Sequence, residues 1–212
     1  MKIARSLDEL EQIRERILDA ALAIIINEGF DALTMRKLAS RIGMTAPNIY
    51  NYFANKDELY ITIVIRGFEM LSESLKKAYA QTHDPVVRAR CLMNSYMRFG
   101  RENRAYYDIM FIRATPKYLD YVGTPHEKLS EIEYQISMEI AGLATHALRD
   151  LMGGDADLKE ENVPKSLVRV WSTLHGMISL INSDIIDYVV PGAEQVYSQV
   201  IDDLVNSLAN AS

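Results

Sequence analysis

Residues 34–56, TMRKLASRIGMTAPNIYNYFANK, contain four basic side chains and no acidic one, in a chain whose net charge is −6. The same stretch carries asparagines and tyrosines, whose amide and hydroxyl groups form directional hydrogen bonds. The amides of Asn48 and Asn51 are of the type that pairs with the edge of adenine, and the basic side chains can neutralise phosphate. These residue types therefore indicate a surface that approaches a polyanion.

The spacing within this stretch predicts a helix-turn-helix. Ala39 is small enough to face a neighbouring helix, and Gly43 suits a turn with positive φ. Ile49 would anchor a second helix of about seven residues, from which Ala46 and the two asparagines project on other faces. The alternative is a plain helical hairpin with solvated Lys and Arg side chains.

The remaining groups of the stretch suit phosphate. Helices are predicted to begin after Thr34, Thr45 and Asn55, and their free backbone amides would attract anions. Hydroxyl and cationic side chains supply the other candidate contacts, which are Tyr50, Tyr52, Arg36, Lys37 and Lys56. An acidic side chain at this surface would repel the ligand, which explains why none is present.

The elements that must position these residues are predicted to be helices throughout. Capping residues and the period of the apolar positions predict an all-α chain with about nine helices, at 7–29, 34–42, 45–52, 56–79, 85–102, 104–114, 124–151, 164–187 and 192–209. An irregular connection is expected at 115–123, and a loop at Gly153-Gly154-Asp155 and the charged stretch after it. The helices fall into two blocks, with the break near residue 80.

Composition limits the classes of function. The chain is 49% apolar and 25% charged, has no segment resembling a signal peptide or a membrane span, and contains a single cysteine, Cys91. A cytoplasmic, reducing location is therefore expected. The four histidines lack metal-ligand spacing, and no phosphate loop or nucleophile elbow occurs, so no metal, cofactor or enzymatic activity is predicted. A helical module that binds protein through its N-terminal hairpin is the other alternative.

The segment LTMRKLASRIGMTAPNIYNYFANKDEL, with the helix RERILDAALAIIINEGFDALTM before it, resembles the signature of the tetracycline-repressor (TetR/AcrR) family of transcriptional regulators. The resemblance implies phosphate contacts from Thr34, Arg36, Thr45, Tyr50, Tyr52 and Lys56. It implies base contacts from Ala46, Pro47 and Asn48, although position 46 of such motifs often holds a glycine or a larger polar residue.

The rest of the chain resembles the family in plan. The resemblance implies a DNA-binding domain over residues 1–55 and a helical ligand-binding and dimerisation domain over residues 56–212. The sequence from Trp171 to Gly176 is similar to a Trp/His/Gly-containing (WHG-like) subgroup of such domains. The implied protein is a homodimeric repressor that binds an operator in double-stranded DNA and is released by a small-molecule effector.

A dimer is also expected from the geometry of base reading, because one short helix covers too few base pairs to discriminate among sites. Two copies would bind a pseudo-palindromic operator. The last two helices have apolar faces wider than one neighbour requires, and Gly176 would permit close approach of another backbone. The candidate interface is Leu174, Ile178, Ile181, Val196, Val200, Ile201, Leu204 and Leu208.

A ligand pocket is predicted between the middle helices, where methionine and aromatic side chains concentrate. Its candidate lining is Met93, Tyr96, Met97, Phe99, Met110, Phe111, Arg113, Tyr118, Glu133, Tyr134, Trp171 and His175. Glu133 lies on an apolar stripe and requires a partner, for which Arg113, His175 or a ligand cation is a candidate. Ligand binding would shift the helix at 56–79 and with it the spacing of the two reading helices.

Overall fold

The computed structural model describes the backbone of residues 6–153 and 156–210, with all side chains in these ranges except those of 156–161, Asp187 and Glu194. The α-helices follow in chain order as α1 (Leu7–Glu28), α2 (Met35–Arg41), α3 (Ala46–Ile49), α4 (Lys56–Tyr79), α5 (Pro85–Glu102), α6 (Arg104–Tyr107), α7 (Tyr118–Tyr121), α8 (Glu127–Met152), α9 (Ala156–Asn182), α10 (Ile186–Val189) and α11 (Ala193–Ala209). A 3₁₀ turn at Phe30–Ala32 and a π-helical turn at Asp108–Ile112 are the other regular elements of the described ranges. The predicted all-α fold is confirmed, and every predicted helical segment contains helix.

Local capping explains most helix boundaries. The Ser6 hydroxyl accepts from the amide of Glu9 at 3.1 Å, and the Glu9 carboxylate accepts from the amide of Ser6 at 2.9 Å, so α1 begins with the predicted capping box. Gly29 ends α1 with a φ of 91°, a conformation that side chains disfavour. Asp84 caps α5 through the amide of Val87 at 2.9 Å.

The chain forms two compact units, and the break does not lie near residue 80 as predicted. The first unit holds the described residues 6–68 together with 105–135, and the second holds 69–104 together with the described residues from 136 to 210. Helices α4 and α8 each contribute to both units. The sequence order of the helices therefore does not match their spatial grouping, because α6, the π-helical turn and α7 belong with the N-terminal helices.

The first unit is built on a fully buried apolar core. Its least exposed side chains come from α1 to α4 and the turns between them, and also from α6 and the π-helical turn; they include Ile17, Ile24, Ile25, Leu33, Leu38, Ile49, Phe53, Leu59, Tyr107 and Ile109. The π-helical turn packs against α4 at Gly67, where an added Cβ would lie 2.5 Å from the Met110 sulfur. That close approach explains why a glycine interrupts the middle of α4.

The second unit packs α5 against α9 and α11. Gly100 of α5 touches the side chain of Ile178, which is completely buried. Arg88 is also buried, and its guanidinium donates to the Asp150 carboxylate at 2.8 Å and lies 4.3 Å from the centre of the Tyr79 ring. A buried charge of this kind needs such a partner to be tolerated.

Three expectations about the C-terminal half are wrong in detail. The connection at 115–123 contains the single-turn helix α7, and the charged stretch after residue 155 is the start of α9, not a loop. Pro164 lies inside α9, and this helix ends at Asn182 rather than 187. Charged residues such as Lys and Glu are good helix formers, so the charged stretch can be helical. Pro164 is the ninth residue of α9, where it has no amide proton to donate and so removes one intrahelical hydrogen bond. Of the predicted Gly-Gly-Asp loop, residues 154 and 155 lie outside the described residues.

The described residues do not meet the requirements of a membrane span or of a metal site. No helix within 6–153 and 156–210 is both long enough and apolar enough to cross a bilayer. Across the same residues, His, Cys, Asp and Glu side chains form no group of three or more suited to a metal ion.

Candidate nucleic-acid interface

The helix-turn-helix has the predicted internal anchors. Ala39 and Ile49 are buried, and Gly43 adopts a φ of 69° in the turn between α2 and α3. The amide of Met44 donates to the Ala39 carbonyl at 2.9 Å, which closes this turn. The spacing of small, turn and anchor residues predicted from the sequence is thus confirmed.

Helix α3 is shorter than predicted. It is a single turn, Ala46–Ile49, and the chain continues through turns at Tyr50 to Tyr52. Thr45 occupies the capping position, but its hydroxyl makes no capping hydrogen bond. Its carbonyl accepts instead from the amide of Asn48 at 2.9 Å. The hydroxyl of Thr45 therefore lies on the exposed side of the turn without a capping role.

The predicted DNA-contacting residues occur on α2 and α3, in the turns beside them and at the first residue of α4, and all are exposed or half-buried. Seven are exposed, namely Thr34, Arg36, Thr45, Pro47, Asn48, Tyr50 and Asn51. Four are half-buried, namely Lys37, Ala46, Tyr52 and Lys56. Because Ile49 is 0% exposed, the direction of the flanking Asn48 and Tyr50 side chains is fixed by the core beneath them.

An acidic residue outside the basic stretch modifies its charge. The Glu28 carboxylate, in the last turn of α1, forms a salt bridge with Lys37 and lies 3.8 Å from the Arg41 guanidinium. Sequence reasoning missed this residue because it considered only residues 34–56. More than a third of the surface of each side chain is exposed, so these salt bridges are weak and a phosphate could displace the carboxylate.

At the start of α4, the predicted Asn55 cap is confirmed, but the prediction of free backbone amides is wrong. The Asn55 side-chain oxygen accepts from the amides of Asp57 and Glu58, each at 3.0 Å. These amides are therefore not free to bind phosphate, contrary to the prediction for this helix start. The Lys56 ammonium lies 4.5 Å from the centre of the Phe30 ring, a cation–π contact that holds it beside the helix-turn-helix.

The twelve candidate pocket residues divide between the two units. Six belong to the first unit, namely Met110, Phe111, Arg113, Tyr118, Glu133 and Tyr134. The other six belong to the second, namely Met93, Tyr96, Met97, Phe99, Trp171 and His175. The predicted lining therefore does not come from one compact unit.

In the first unit, Glu133 does not have the expected partner. Arg113 instead donates to the Asp108 carboxylate at 2.5 Å. Burial raises the pKa of the Glu133 carboxyl, and the positive charge of Lys117 partly offsets this shift. Burial likewise lowers the pKa of Lys117, whose ammonium donates to the Met110 carbonyl at 3.2 Å. The half-buried Glu133 carboxyl and the Lys117 ammonium thus influence each other within this unit.

In the second unit, three candidates form one hydrogen-bonded group. The Trp171 indole donates to the Tyr96 hydroxyl at 3.0 Å, and that hydroxyl lies 3.0 Å from Nε2 of His175. Because the hydroxyl oxygen accepts a hydrogen bond from the indole N–H, its own O–H can donate a hydrogen bond to Nε2. Nε2 can accept this bond only when the imidazole is neutral. Burial lowers the pKa of His175, in agreement with that neutral form.

Two open recesses lie in the second unit, and neither matches the candidate lining. One, of about 590 Å³, is bordered by Glu69, Ser72, Glu73, Lys76, Lys77, Ala80, Ile136 and Glu139. The other, of about 480 Å³, is bordered by Asn94, Met97, Arg98, Arg101, Glu102, Arg104, Tyr197, Ser198 and Ile201. Of the predicted pocket residues, only Met97 borders either recess.

Most candidate dimer residues pack inside their own unit. Five are buried, namely Leu174, Ile178, Ile201, Leu204 and Leu208, and Ile181 and Val200 are half-buried. Val196 remains 40% exposed. Among the α9 side chains that the structure describes, the large apolar ones left exposed are Val168, Trp171 and Leu180. The burial of the five leucines and isoleucines has a simpler cause, the contact of α5, α9 and α11 within the unit.

Two sequence models of known families match the chain. The one described as bacterial regulatory proteins, tetR family, matches residues 17–63. The one described as tetracyclin repressor-like, C-terminal domain, matches residues 89–204, which is more than half of the chain.

Characterised relatives and solved structures agree with these matches. The HTH-type transcriptional activator FasR of Mycolicibacterium smegmatis is 26% identical over 149 residues, which are 70% of this chain and 63% of that protein. The HTH-type transcriptional repressor KstR of the same species is 31% identical over 90 residues, 42% of this chain and 44% of the relative. The chain thus spans less than two thirds of the length of these relatives. The crystal structure of the TetR family transcriptional regulator PfmR from Thermus thermophilus has a similar fold, with a TM-score of 0.67 at 20% identity over 90% of this chain and 96% of that one.

Proposed function

Because the chain belongs to the tetR family of bacterial regulatory proteins, we propose that it is a DNA-binding transcriptional regulator that contacts its operator through residues 34–56. The observation that carries this proposal is the exposed face of α2 and α3. There, Asn48 and the hydroxyl-bearing residues project from a turn whose inner side, at Ile49, is completely buried. An exposed amide held by a buried neighbour is suited to reading a base edge.

The contacts divide into two classes. Ala46, Pro47, Asn48 and Asn51 are the proposed base-contacting residues, since they lie on or beside α3. Thr34, Arg36, Lys37, Thr45, Tyr50, Tyr52 and Lys56 are the proposed phosphate-contacting residues. Phosphate contacts position the protein on the duplex and give salt-dependent affinity, whereas base contacts give sequence preference.

The two proposed domains follow the plan of the family. Residues 1–55 form the DNA-binding domain, and residues 56–212 form the ligand-binding and dimerisation domain. The protein acts as a cytoplasmic homodimer on a pseudo-palindromic operator, because one single-turn helix contacts too few base pairs for discrimination. It has no enzymatic role.

A small-molecule effector bound in the C-terminal domain releases the operator, so the protein acts as a repressor. To release DNA, the effector must favour the non-binding conformation by several kcal/mol. KstR is a repressor by name and FasR an activator, so the direction of regulation is the part of the proposal that a transcription assay must test.

The experiment that tests the proposal is selection of bound sequences from random duplex DNA by the full-length protein. A regulator of the proposed type enriches one sequence motif with two symmetric half-sites at fixed spacing. Binding measured over a salt series adds a second criterion, since released counterions make the affinity of a phosphate-contacting protein fall steeply with salt. Failure to retain duplex of any sequence at low salt overturns the proposal, and salt-independent capture of protein partners instead favours a protein-interaction module.

A further inference from the structure

The single-turn length of α3 raises the question of what holds it in place. An isolated turn of helix is not stable in water, and base reading requires side chains placed to within a fraction of an ångström. Beneath α3, Ile49 and Phe53 are buried and anchor the inner side of the turn. The amides of Tyr52 and Phe53 both donate to the Ile49 carbonyl, at 2.9 and 3.1 Å. These contacts fix the start of the turn but leave its last carbonyl groups to other partners.

Arg14, on α1, contacts one of these carbonyl groups. Its guanidinium donates to the carbonyl of Tyr52 at 3.2 Å, across 38 positions of sequence. The same guanidinium lies 4.3 Å from the centre of the Phe53 ring, so it binds the backbone and covers the anchor side chain at once. Arg14 forms no salt bridge within the residues that the structure describes, so no carboxylate competes for this geometry.

On these contacts we infer that Arg14 is a positioning residue for DNA recognition, which holds the turn from Tyr50 to Phe53 and thereby orients α3 without contacting DNA. The inference rests on the proposed DNA-binding function. A planar guanidinium can donate a hydrogen bond and stack on a ring at the same time, whereas the ammonium of lysine acts as a point charge. A lysine at position 14, which keeps the positive charge, is therefore not expected to replace Arg14.

The chain offers a matched control. Arg16 lies two positions further along α1 and is exposed, and its replacement removes the same charge. We compare Arg14→Gln, Arg14→Lys and Arg16→Gln in the full-length protein, using the duplex obtained by selection and an unrelated duplex of equal length. Affinities are measured between about 50 and 200 mM salt, where phosphate contacts change affinity most clearly.

Both Arg14 variants are expected to lose about tenfold in affinity for the selected duplex, comparable to the loss of one base contact. Their affinity for the unrelated duplex falls by less, because only the neutral phosphate contacts proposed for Tyr50 and Tyr52 move with the turn. Their salt slope stays close to that of the unchanged protein, because no cationic phosphate contact is removed. Arg16→Gln stays within about twofold on both duplexes, as expected for an exposed rim charge. A merely destabilised protein would lose the same fraction of binding on both duplexes, so the ratio of the two affinities isolates the positioning role.

Three results would overturn the inference. One is unchanged affinity for the selected duplex in Arg14→Gln. The second is restoration of full affinity by Arg14→Lys, together with a salt slope in Arg14→Gln that is lower by about one, which identifies Arg14 as a phosphate contact. The third is an equal loss on both duplexes. If Arg14→Gln does not fold, Arg14→Lys carries the same comparison. If the unchanged protein binds no duplex, the proposed function fails rather than this inference.

Discussion

At the scale of single residues, the proposed interface depends on an alternation of buried and exposed side chains along α3 and the turn after it. Ile49 is completely buried, and its neighbours Asn48 and Tyr50 are exposed. Residues 48–50 thus present an amide and a hydroxyl, proposed to contact a base and a phosphate, on either side of the buried anchor. Such a short element can be specific only because its anchor allows a single orientation.

Asn48 gives the most direct test of base reading. Asn48→Ala should weaken binding to the selected operator by about 1–3 kcal/mol and leave binding to unrelated duplex unchanged. Fluorescence anisotropy with both duplexes measures the two affinities. Asn206→Ala, which changes an exposed asparagine on α11, is the matched control and should affect neither. Equal losses on the two duplexes would remove Asn48 from the base-reading set.

Lys56 tests phosphate contact. Lys56→Ala should weaken binding to every sequence and lower the slope of log affinity against log salt concentration by about one. It should also reduce the free energy of unfolding by about 0.5–1 kcal/mol, because the contact with the Phe30 ring is lost. Lys165→Ala, at an exposed position on α9, controls for the change in net charge. An unchanged slope would show that Lys56 does not meet phosphate.

At the scale of elements, close packing in the second unit depends on glycine. A Cβ at Gly100 would lie 2.6, 2.8 and 3.0 Å from three atoms of Ile178, a β-branched side chain with no exposed surface. Gly100 also accepts, through its carbonyl, a hydrogen bond of 3.0 Å from the Asn182 amide. Helices α5 and α9 therefore meet at a point where neither side chain nor backbone has room to move.

Gly100→Ala should consequently be destabilising. Overpacking of a rigid core site costs about 1–3 kcal/mol, which here exceeds the gain of up to about 1 kcal/mol in helix propensity. Chemical denaturation measures the change. Gly142→Ala is the control, since this α8 glycine has nothing within 4 Å of an added Cβ and should be stabilised. The double variant Gly100→Ala/Ile178→Ala should be destabilised by less than the sum of the two single variants, because Ile178→Ala removes the atoms that the new methyl would meet. A destabilisation equal to that sum would mean that the steric conflict is absent.

The helices that sequence reasoning located correctly are those whose boundaries depend on local chemistry. The Ser6–Glu9 capping box, the Asp84 cap and the positive φ of Gly43 are determined by residues within a few positions of one another. The extent of α3, the start of α9 and the π-helical turn at Asp108–Ile112 depend on packing between distant segments. No local pattern reveals such packing.

The same distinction applies to the candidate site. Residues 34–56 could be assigned to one surface because the helix-turn-helix is local, and the structure places all eleven candidates at exposed or half-buried positions. Glu28 and Arg14 were missed because they approach this surface from another helix. The candidate pocket residues were chosen because they are mostly methionines and aromatic residues. Residue type does not show which compact unit a side chain packs in, so the choice combined residues of both units. Leucines chosen for the dimer interface proved to be core residues for a similar reason.

At the scale of the whole molecule, the segment 105–135 packs with the N-terminal helices although it lies far along the chain. Within the first unit, the Tyr60 hydroxyl on α4 donates to the Pro116 carbonyl at 2.8 Å, and burial raises the pKa of Tyr60 to about 12. The Tyr121 hydroxyl donates to the Asp57 carboxylate at 3.3 Å, and the Asn55 amide meets Nε2 of His126 at 3.1 Å. An effector that displaces this segment therefore acts on the start of α4 directly, beside the proposed DNA-contacting residues.

The proposed recognition of an operator requires symmetric pairing of two copies, and the burial of the candidate interface residues decides how that pairing should be tested. A charge at Leu204, which is 5% exposed, would disrupt the core of its own unit and could not distinguish a lost dimer from a lost fold. Gly176 on α9 is exposed, and an added Cβ there would have nothing within 4 Å in the protomer. Gly176 thus permits a test that leaves the protomer intact.

Gly176→Ala should weaken the dimer while preserving, or slightly raising, the stability of the protomer. If α9 packs closely against the partner's backbone, the extra methyl overpacks that interface by about 1–3 kcal/mol, which raises the dimer dissociation constant by about 5- to 150-fold. Sedimentation equilibrium over a range of concentrations measures this constant. Gly142→Ala again provides the matched control, because it makes the same change on an exposed helix outside the proposed interface and should leave the constant unaltered. Identical dissociation constants for the two variants would exclude close packing of α9 at Gly176. If operator selection then still yielded symmetric half-sites, the dimer would have to form through another face.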